Sequence, residues 1–150
     1  MFKKLALATA LLAGLSTAHA YQAEIGGSLL VIDPDYENAD TSTGFALDGT
    51  FYFNPVQVKN SPLNEAAFLN RASNVNAAIS YIDFDVAEST TFGIGVEYFV
   101  PNTDFYVSAS IGQSTIEKDG SEDFDTTSYT AELGYLPVSG LLIAAGIAGY

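Results

Sequence analysis

The sequence predicts an all-β protein, an antiparallel, transmembrane, up-and-down β-barrel preceded by a signal-peptide helix. Three observations support this prediction. The first twenty residues have the composition of a secretory signal. The remaining residues alternate between apolar and polar side chains over segments of about ten residues, the length of a tilted strand that crosses a membrane. The connections between these segments alternate between acidic stretches and short, proline-led ones, as in outer-membrane barrels.

Residues 1–20 are predicted to be a signal peptide that is removed on export. Lys3 and Lys4 form a basic start, and residues 5–15 form an apolar stretch that is too short to span a bilayer. A small-x-small cleavage motif ends at Ala20. The alternative is a buried or membrane-anchoring N-terminal helix. The coincidence of all three features favours the signal peptide, and with it export through the general secretory pathway.

The composition of residues 21–150 excludes several classes of function. Without Lys3 and Lys4 the net charge of −13 becomes −15, from three basic residues against eighteen acidic ones, and the segment has neither histidine nor cysteine. Catalytic triads, cysteine nucleophiles and His/Cys metal sites are therefore excluded, so we expect no enzyme, no metal site and no cofactor. The negative charge argues against nucleic acid as a partner. Because no disulfide is available, a bilayer is the predicted source of stability.

Seven segments of the mature chain are predicted to be strands. They are 21–31, 45–53, 74–81, 92–98, 105–112, 127–135 and 141–150. In the first six, one face is apolar with aromatic residues toward the ends, while the other carries glycine, serine, threonine and a few carboxylates. A secreted, soluble β-sandwich is the alternative, because it would also bury an apolar face. The small residues of the polar face suit a wet or tightly filled lumen, so they favour the barrel.

The connections predict the orientation of this barrel. Acidic connections lie at 33–44, 85–90 and 116–126, and short ones led by proline lie at 101–103 and 137–140. Outer-membrane barrels have long extracellular loops and short periplasmic turns, so the acidic connections are predicted to face outward. Two acidic stretches, DPDYENAD at 33–40 and EKDGSEDFD at 117–125, each group several oxygens that could bind divalent cations. Neither has the spacing of an EF-hand loop, which favours solvated surface charge.

The connector at 54–72 breaks this rule because it is far too long for a periplasmic turn. Residues 61–69 are predicted to form a short helix, with Ser61 as its N-cap and Pro62 at its first helical position. Glu65 would lie near the positive end of the helix dipole. The favoured interpretation is a structured connector that plugs or borders the barrel mouth. The alternative is a docking element for a periplasmic partner.

Two stretches of the sequence resemble a family of putative general porins of Gram-negative bacteria. They are KNSPLNEAAFLNRASNV at 59–75 and YQAEIGGSLLVIDPD at 21–35. The resemblance extends from the signal peptide across most of the chain, and it implies an outer-membrane barrel for passive transport without supplying any catalytic or binding residue. Such porins are appreciably longer, and bacterial barrels have even strand numbers. The mature domain, 21–150, is therefore predicted to be truncated at its C-terminus; the alternative is that Tyr150 is the natural end and one strand is miscounted.

Four carboxylates are predicted to face the lumen, namely Glu24, Asp48, Glu97 and Glu132. Each falls on the polar face of its strand, and ionised groups facing lipid are costly. Acidic rings in a pore favour cations, so the predicted function is a porin-like outer-membrane channel that admits small hydrophilic solutes and prefers cations. An equally weighted alternative is that the four pair with basic groups elsewhere or are simply hydrated.

A second class of function is a non-conducting structural or adhesive outer-membrane barrel that displays acidic loops. Barrels of about eight strands are filled by side chains rather than open, so the total number of strands separates the two classes. In both classes the barrel contacts outer-membrane lipid, and only in the first does it also contact small hydrophilic solutes. The sequence leaves the oligomeric state open.

We expect cleavage after Ala20, because a small-x-small motif precedes this bond and the alternating pattern begins directly after it. N-terminal sequencing of the protein from the envelope fraction should read Tyr21-Gln22. A mature N-terminus that retains Lys3 would contradict this prediction.

Overall fold

The computed structural model of the chain describes residues 4–13, 20–33, 41–59, 62–84, 87–118, 120 and 122–150. Eight β-strands in this part of the chain form one antiparallel sheet in which each strand pairs with the next in sequence. The strands are β1 (Lys4–Ala13), β2 (Ala20–Asp33), β3 (Ser42–Gln57), β4 (Asn74–Asp83), β5 (Ala87–Phe99), β6 (Phe105–Lys118), β7 (Phe124–Val138) and β8 (Leu141–Gly149). One helix, α1 (Leu63–Leu69), lies between β3 and β4. The prediction of an up-and-down antiparallel arrangement is confirmed.

The seven predicted strands correspond to β2–β8, although most of them are longer than predicted. β3 has 16 residues and β7 has 15. Pro137 lies inside β7 instead of opening the following turn, and the pairing of β7 with β8 shifts register between Tyr135 and Val138. This irregularity accommodates the proline, which has no N–H to donate to a ladder.

Residues Lys4–Ala13 form β1, which corrects the prediction of an N-terminal helix. β1 pairs with β2 along its whole length, from Lys4 opposite Asp33 to Ala13 opposite Glu24. A continuous apolar run of this length does not by itself distinguish a strand from a helix. The edge of β2 offers a row of unpaired backbone groups, and pairing with a second strand satisfies them. The removal of residues 1–20 stays a prediction.

The two faces of the sheet differ in the way that the alternation predicts. Large apolar side chains on one face are exposed, among them Ile25 at 59 %, Phe51 at 52 % and Leu133 at 69 %. A soluble protein would bury such a continuous apolar surface, whereas a lipid bilayer accepts it. We call this the outer face, and the opposite, polar face the inner face.

The inner face consists of rows of small and polar side chains that run across neighbouring strands. One row joins Glu24, Thr50, Asn76, Gly95, Ser110 and Thr130. Within this row the hydroxyl oxygens of Ser110 and Thr130 lie 2.6 Å apart in a hydrogen bond. Such small side chains leave space beside the inner face of the sheet, and their polar atoms suit contact with water.

Tyr21 lies on the inner face, although the alternation predicts the outer one. The pairing of β2 with β3 shifts register between Tyr21 and Ala23, so Tyr21 is opposite Val56. An irregularity of this kind reverses the side on which the following residues point, because the side-chain period of a strand is two. The ring of Tyr21 packs edge-on against that of Tyr52, with 5.7 Å between the centroids.

The sheet is strongly curved around its inner face. One cavity of about 250 Å³ is lined both by Tyr52 of β3 and by Leu142 of β8. These strands are five strand spacings apart, which is roughly 24 Å in a flat sheet. A cavity of this size does not extend so far, so the sheet must curl. Within the described residues the strand order is linear from β1 to β8, and the curled sheet is open.

The connections lie at two ends of the curled sheet. At the turn end are the β5–β6 turn (100–104), the β7–β8 turn (139–140) and the connector between β3 and β4 (58–73). At the loop end are the β4–β5 and β6–β7 connections, together with the β2–β3 connection, of which 34–40 lie outside the described residues. No helix in the described part of the chain is long and apolar enough to cross a membrane.

Arginine should destabilise the barrel on its outer face more than on its inner face. In full-length protein folded into phosphatidylcholine vesicles, Phe51→Arg and Ile111→Arg each place a charge in lipid, at an expected cost of about 2–4 kcal/mol near the bilayer midplane. Their sequence neighbours on the inner face, Thr50 and Ser110, provide matched Arg variants whose charge meets water. Guanidinium titrations measure the free energy of unfolding, and equal losses on both faces would contradict the membrane assignment.

Candidate functional site

All four predicted carboxylates lie on the inner face. Glu97 of β5 and Glu132 of β7 share one row, separated by Ser108 of β6. Two strand spacings separate them, which is about 10 Å. Glu24 is opposite Thr50, and Asp48 lies over Gly26, one row further toward the loop end. Glu97 and Glu132 therefore share a row two strands apart, whereas Glu24 and Asp48 are diagonal neighbours on the adjacent strands β2 and β3.

The carboxylate of Glu97 is held by two neutral side chains. The amide Nδ2 of Asn74 donates a hydrogen bond of 2.8 Å to Oε2, and the hydroxyl of Tyr106 donates one of 3.3 Å to Oε1. Asn74 is only 4 % exposed, and its Oδ1 accepts a hydrogen bond of 3.2 Å from Nδ2 of Asn76. This network fixes the position of the Glu97 carboxylate without cancelling its charge.

Glu24 has a similar environment on the other side of the curled sheet. Its carboxylate interacts with the side chains of Tyr21 and Tyr52, which pack together on the inner face. Tyrosine hydroxyls can donate to a carboxylate and carry no charge of their own when protonated. Tyrosine–carboxylate contacts therefore occur on both sides of the inner face.

Helix α1 lies on the inner face at the turn end. Its Ala66 is completely buried in a cluster with Tyr21, Tyr52, Val56 and Ala72. The backbone oxygen of Leu63 is 3.5 Å from the hydroxyl of Tyr21, at the limit of a hydrogen bond.

The other side of α1 is packed as well. Its Phe68 packs against the buried residues Phe99, Tyr106 and Leu136. The helix and its side chains therefore contact strands on both sides of the inner face.

The start of α1 differs by one residue from the prediction. Pro62 takes the N-cap position instead of the first helical one, with φ −56° and ψ 142°, and no side chain caps the helix. The predicted N-cap, Ser61, lies outside the described residues. Glu65 lies in the first turn, as predicted.

The three basic residues of 21–150 all lie at strand ends or in the connector. The guanidinium of Arg71 forms a 2.9 Å ion pair with Asp104 and donates a 2.8 Å hydrogen bond to the backbone oxygen of Thr103. Lys59 lies in the connector, where it is exposed. Lys118 is the last residue of β6, and the alternation assigns it to the inner face at the loop end. Within β2–β8 the alternation therefore places one basic side chain on the inner face.

Sequence reasoning missed the aromatic and amide residues that surround the carboxylates. Tyr52, Asn74, Phe99 and Tyr106 are all buried on the inner face at the turn end. The sequence did indicate the face of two of them. Tyr52 and Tyr106 each come next to a phenylalanine of the outer face, so the alternation assigns both tyrosines to the inner face. Their contacts depend on strand register and on the position of α1, neither of which the alternation specifies.

A metal site finds no support in the described residues, which include no cluster of three or more acidic, histidine or cysteine side chains. Of the two acidic stretches considered for divalent cations, 34–40 lies outside the described residues and 117–125 is described except for positions 119 and 121. The hydroxyl of Thr115 donates to Asp125 at 2.5 Å, so this carboxylate has a protein partner.

Comparison with known proteins identifies the family. A family model described as a putative general bacterial porin matches residues 2–147. The chain belongs to this family. A solved structure, the outer membrane protein Omp33 of Acinetobacter baumannii, is similar to the chain with 31 % sequence identity and a TM-score of 0.65. The match covers 89 % of this chain and 53 % of Omp33, so the chain spans about half the length of that relative. No curated protein sequence matches the chain significantly.

Membership of this porin family and the likeness to an outer-membrane protein confirm the predicted β-barrel architecture and the location in the outer membrane of Gram-negative bacteria. The curled, open sheet of the structure is part of such an architecture. The expectation that the protein is not an enzyme stays a prediction.

Close packing at the turn end should make Gly134 intolerant of a side chain. A Cβ at this position would lie 2.6 Å from Cδ1 of Leu142 and 2.9 Å from Cδ1 of Tyr106. Gly134→Val should lower the free energy of unfolding in vesicles by about 1–3 kcal/mol.

Gly93→Val is the matched control, because a Cβ there meets no atom closer than 3.7 Å. It should change the free energy of unfolding by about 0.5 kcal/mol or less. Equal effects of the two substitutions would show that the inner face is not packed at Gly134.

Proposed function

We propose that the full-length protein is an outer-membrane channel through which small hydrophilic solutes diffuse passively, with a preference for cations and no catalytic step. The observation that carries this proposal is the row on the inner face that holds both Glu97 and Glu132. In the described part of the chain, no basic side chain forms an ion pair with either carboxylate. The partners of Glu97 are the neutral Asn74 and Tyr106.

The spacing of these charges supports a selective effect. Two carboxylates about 10 Å apart are separated by little more than one Debye length, which is about 8 Å at physiological ionic strength, so their potentials still overlap in part. A lumen with low-dielectric walls of one sign concentrates counter-ions and raises the barrier to ions of the same sign. Glu24 and Asp48 would add to this negative potential from β2 and β3.

The width of the pore depends on the rest of the barrel. A barrel's diameter grows with its strand number, and about eight strands leave no open lumen. We propose that β2–β8 form one part of a wider wall; the length of Omp33, nearly twice the aligned region, supports this. The turn end would face the periplasm, since it carries the short turns. Removal of residues 1–20 would precede insertion.

A second candidate is a non-conducting structural or adhesive barrel that displays acidic loops. It is supported by α1 and its aromatic neighbours, which fill the inner face at the turn end. In this alternative the inner-face carboxylates belong to a polar network without transport.

Single-channel recording of the full-length protein in planar bilayers separates the two candidates. We expect discrete conductance with a modest preference for K⁺ over Cl⁻. The double variant Glu97→Gln/Glu132→Gln should shift the reversal potential toward that of anions without abolishing conductance. Glutamine can still accept from Asn74 and pair with Tyr106, so the wall stays intact.

The control is Glu122→Gln/Asp123→Asn, which removes the same charge from two exposed residues at the loop end. Its reversal potential should move less. A correctly inserted wild-type protein without conductance would favour the non-conducting barrel. Equal shifts in the two double variants would assign selectivity to overall charge and not to the inner-face row.

A further inference from the structure

The connector between β3 and β4 packs against the inner face of the curled sheet and does not extend away from the ends of the strands. Tyr52, Asn74 and Glu97 belong to one inner-face row, and together with residues of α1 they line the cavity of about 250 Å³. Ala67 and Phe68 supply the helix side of this cavity. An α-helix with its side chains is about 10 Å across. The connector therefore takes up cross-section that a plain strand-to-strand turn would leave open.

The end of the connector is tied to β3. The amide Nδ2 of Asn70 donates to the backbone oxygen of Gln57 at 2.8 Å, and its Oδ1 accepts from the backbone N–H of Gln57 at 3.3 Å. The same Nδ2 donates to the oxygen of Ala66 at 2.6 Å. The side chain of Asn70 thereby makes the two backbone hydrogen bonds that a neighbouring strand would make with Gln57, and it also caps the last turn of α1.

A second set of ties joins the connector to β3, to the end of β5 and to the β5–β6 turn. Ser73 accepts a hydrogen bond on its backbone oxygen from the N–H of Phe53, and on its Oγ from the N–H of Phe99, both at 2.9 Å. Arg71 contacts Thr103 and Asp104 in the turn. Anchors on several strand ends hold α1 in one position relative to the wall.

One side of α1 remains free. Ala66 and Phe68 pack against the wall, whereas Leu63 is 55 % exposed and Glu65 is exposed too. Because α1 lies on the inner face, we expect these exposed side chains to border the lumen of the proposed channel. The docking alternative has less support, since the apolar side chains of α1 other than Leu63 are used against the wall.

We propose that the described part of the connector, residues 58–59 and 62–73, is a fixed internal constriction that sets the size limit of the pore at the turn end. This inference rests on the proposed channel function and adds the element that determines which solutes fit. The cavity beneath α1 contains Glu97, so the constriction and one of the selective charges occupy the same level of the barrel. The exposed side of α1 at Leu63 is then the part of the chain that passing solutes meet.

The decisive experiment changes the size of one side chain on the free side of α1. In planar bilayers containing full-length protein, Leu63→Trp should lower the single-channel conductance and Leu63→Ala should raise it. The hydrogen bond of Leu63 to Tyr21 uses the backbone oxygen and survives both changes. Leu133 is the matched control, because it is 69 % exposed on the outer face, and the same two substitutions there should leave the conductance unchanged.

A second variant replaces residues 63–69 by a short Gly-Ser linker and keeps Asn70 to Ser73 as anchors. Its conductance should rise roughly twofold, because a helix about 10 Å across leaves the lumen. In liposome-swelling assays it should also admit tri- and tetrasaccharides that the wild type excludes.

The outcomes distinguish failure of this inference from failure of the channel proposal. A conducting wild type whose conductance and solute limit are unchanged in the Leu63 and linker variants would overturn the constriction and leave the channel standing. Conductance only in the linker variant would support the constriction and overturn passive diffusion through the wild type. No conductance in any correctly inserted variant would overturn both.

Discussion

The structure depends on one constraint, which is that backbone N–H and C=O groups inside a hydrocarbon layer must find partners within the protein. An antiparallel ladder satisfies this constraint for the strands that have neighbours on both sides. Once the ladder is formed, its register decides which side chains share a row, since opposite residues point to the same face. Glu97, Ser108 and Glu132 are neighbours for this reason, although 35 positions of sequence separate the first from the last.

Alternation alone predicts the seven strands, their two faces and the positions of the four carboxylates, because a period of two is a local property of the sequence. Features that depend on pairing are not local. Tyr21 changes face through a register shift between two strands, and β1 forms at an edge that only the folded sheet provides. The contact of Asn74 with Glu97 requires both the β4–β5 register and the covering helix. None of these leaves a periodic trace in the sequence.

Helix α1 and the curvature of the sheet depend on each other. A helix of seven residues is not stable on its own in water, because the free energy lost in nucleation exceeds the free energy gained from its few hydrogen bonds. α1 exists because Ala66 and Phe68 pack on the wall. Small residues allow close packing on both partners: Ala72, in the connector, is buried in the cluster around α1, and Gly134 of β7 lets Tyr106 and Leu142 pack together. Larger residues at these positions would push the helix into the lumen or flatten the curl.

The choice of partners for the carboxylates determines whether the inner face keeps its charge. An arginine in contact with Glu97 would fix its position equally well, but the opposite charges would cancel beyond a short distance. Asn74 and Tyr106 supply the same geometric restraint through neutral donors. The ion pair between Arg71 and Asp104 lies in contrast at the turn end, where both groups are partly exposed and solvent screens the pair. In the proposed channel, neutral anchors beneath the proposed constriction would leave a negative field where the lumen is narrowest, and such a field would act most strongly on a passing ion there.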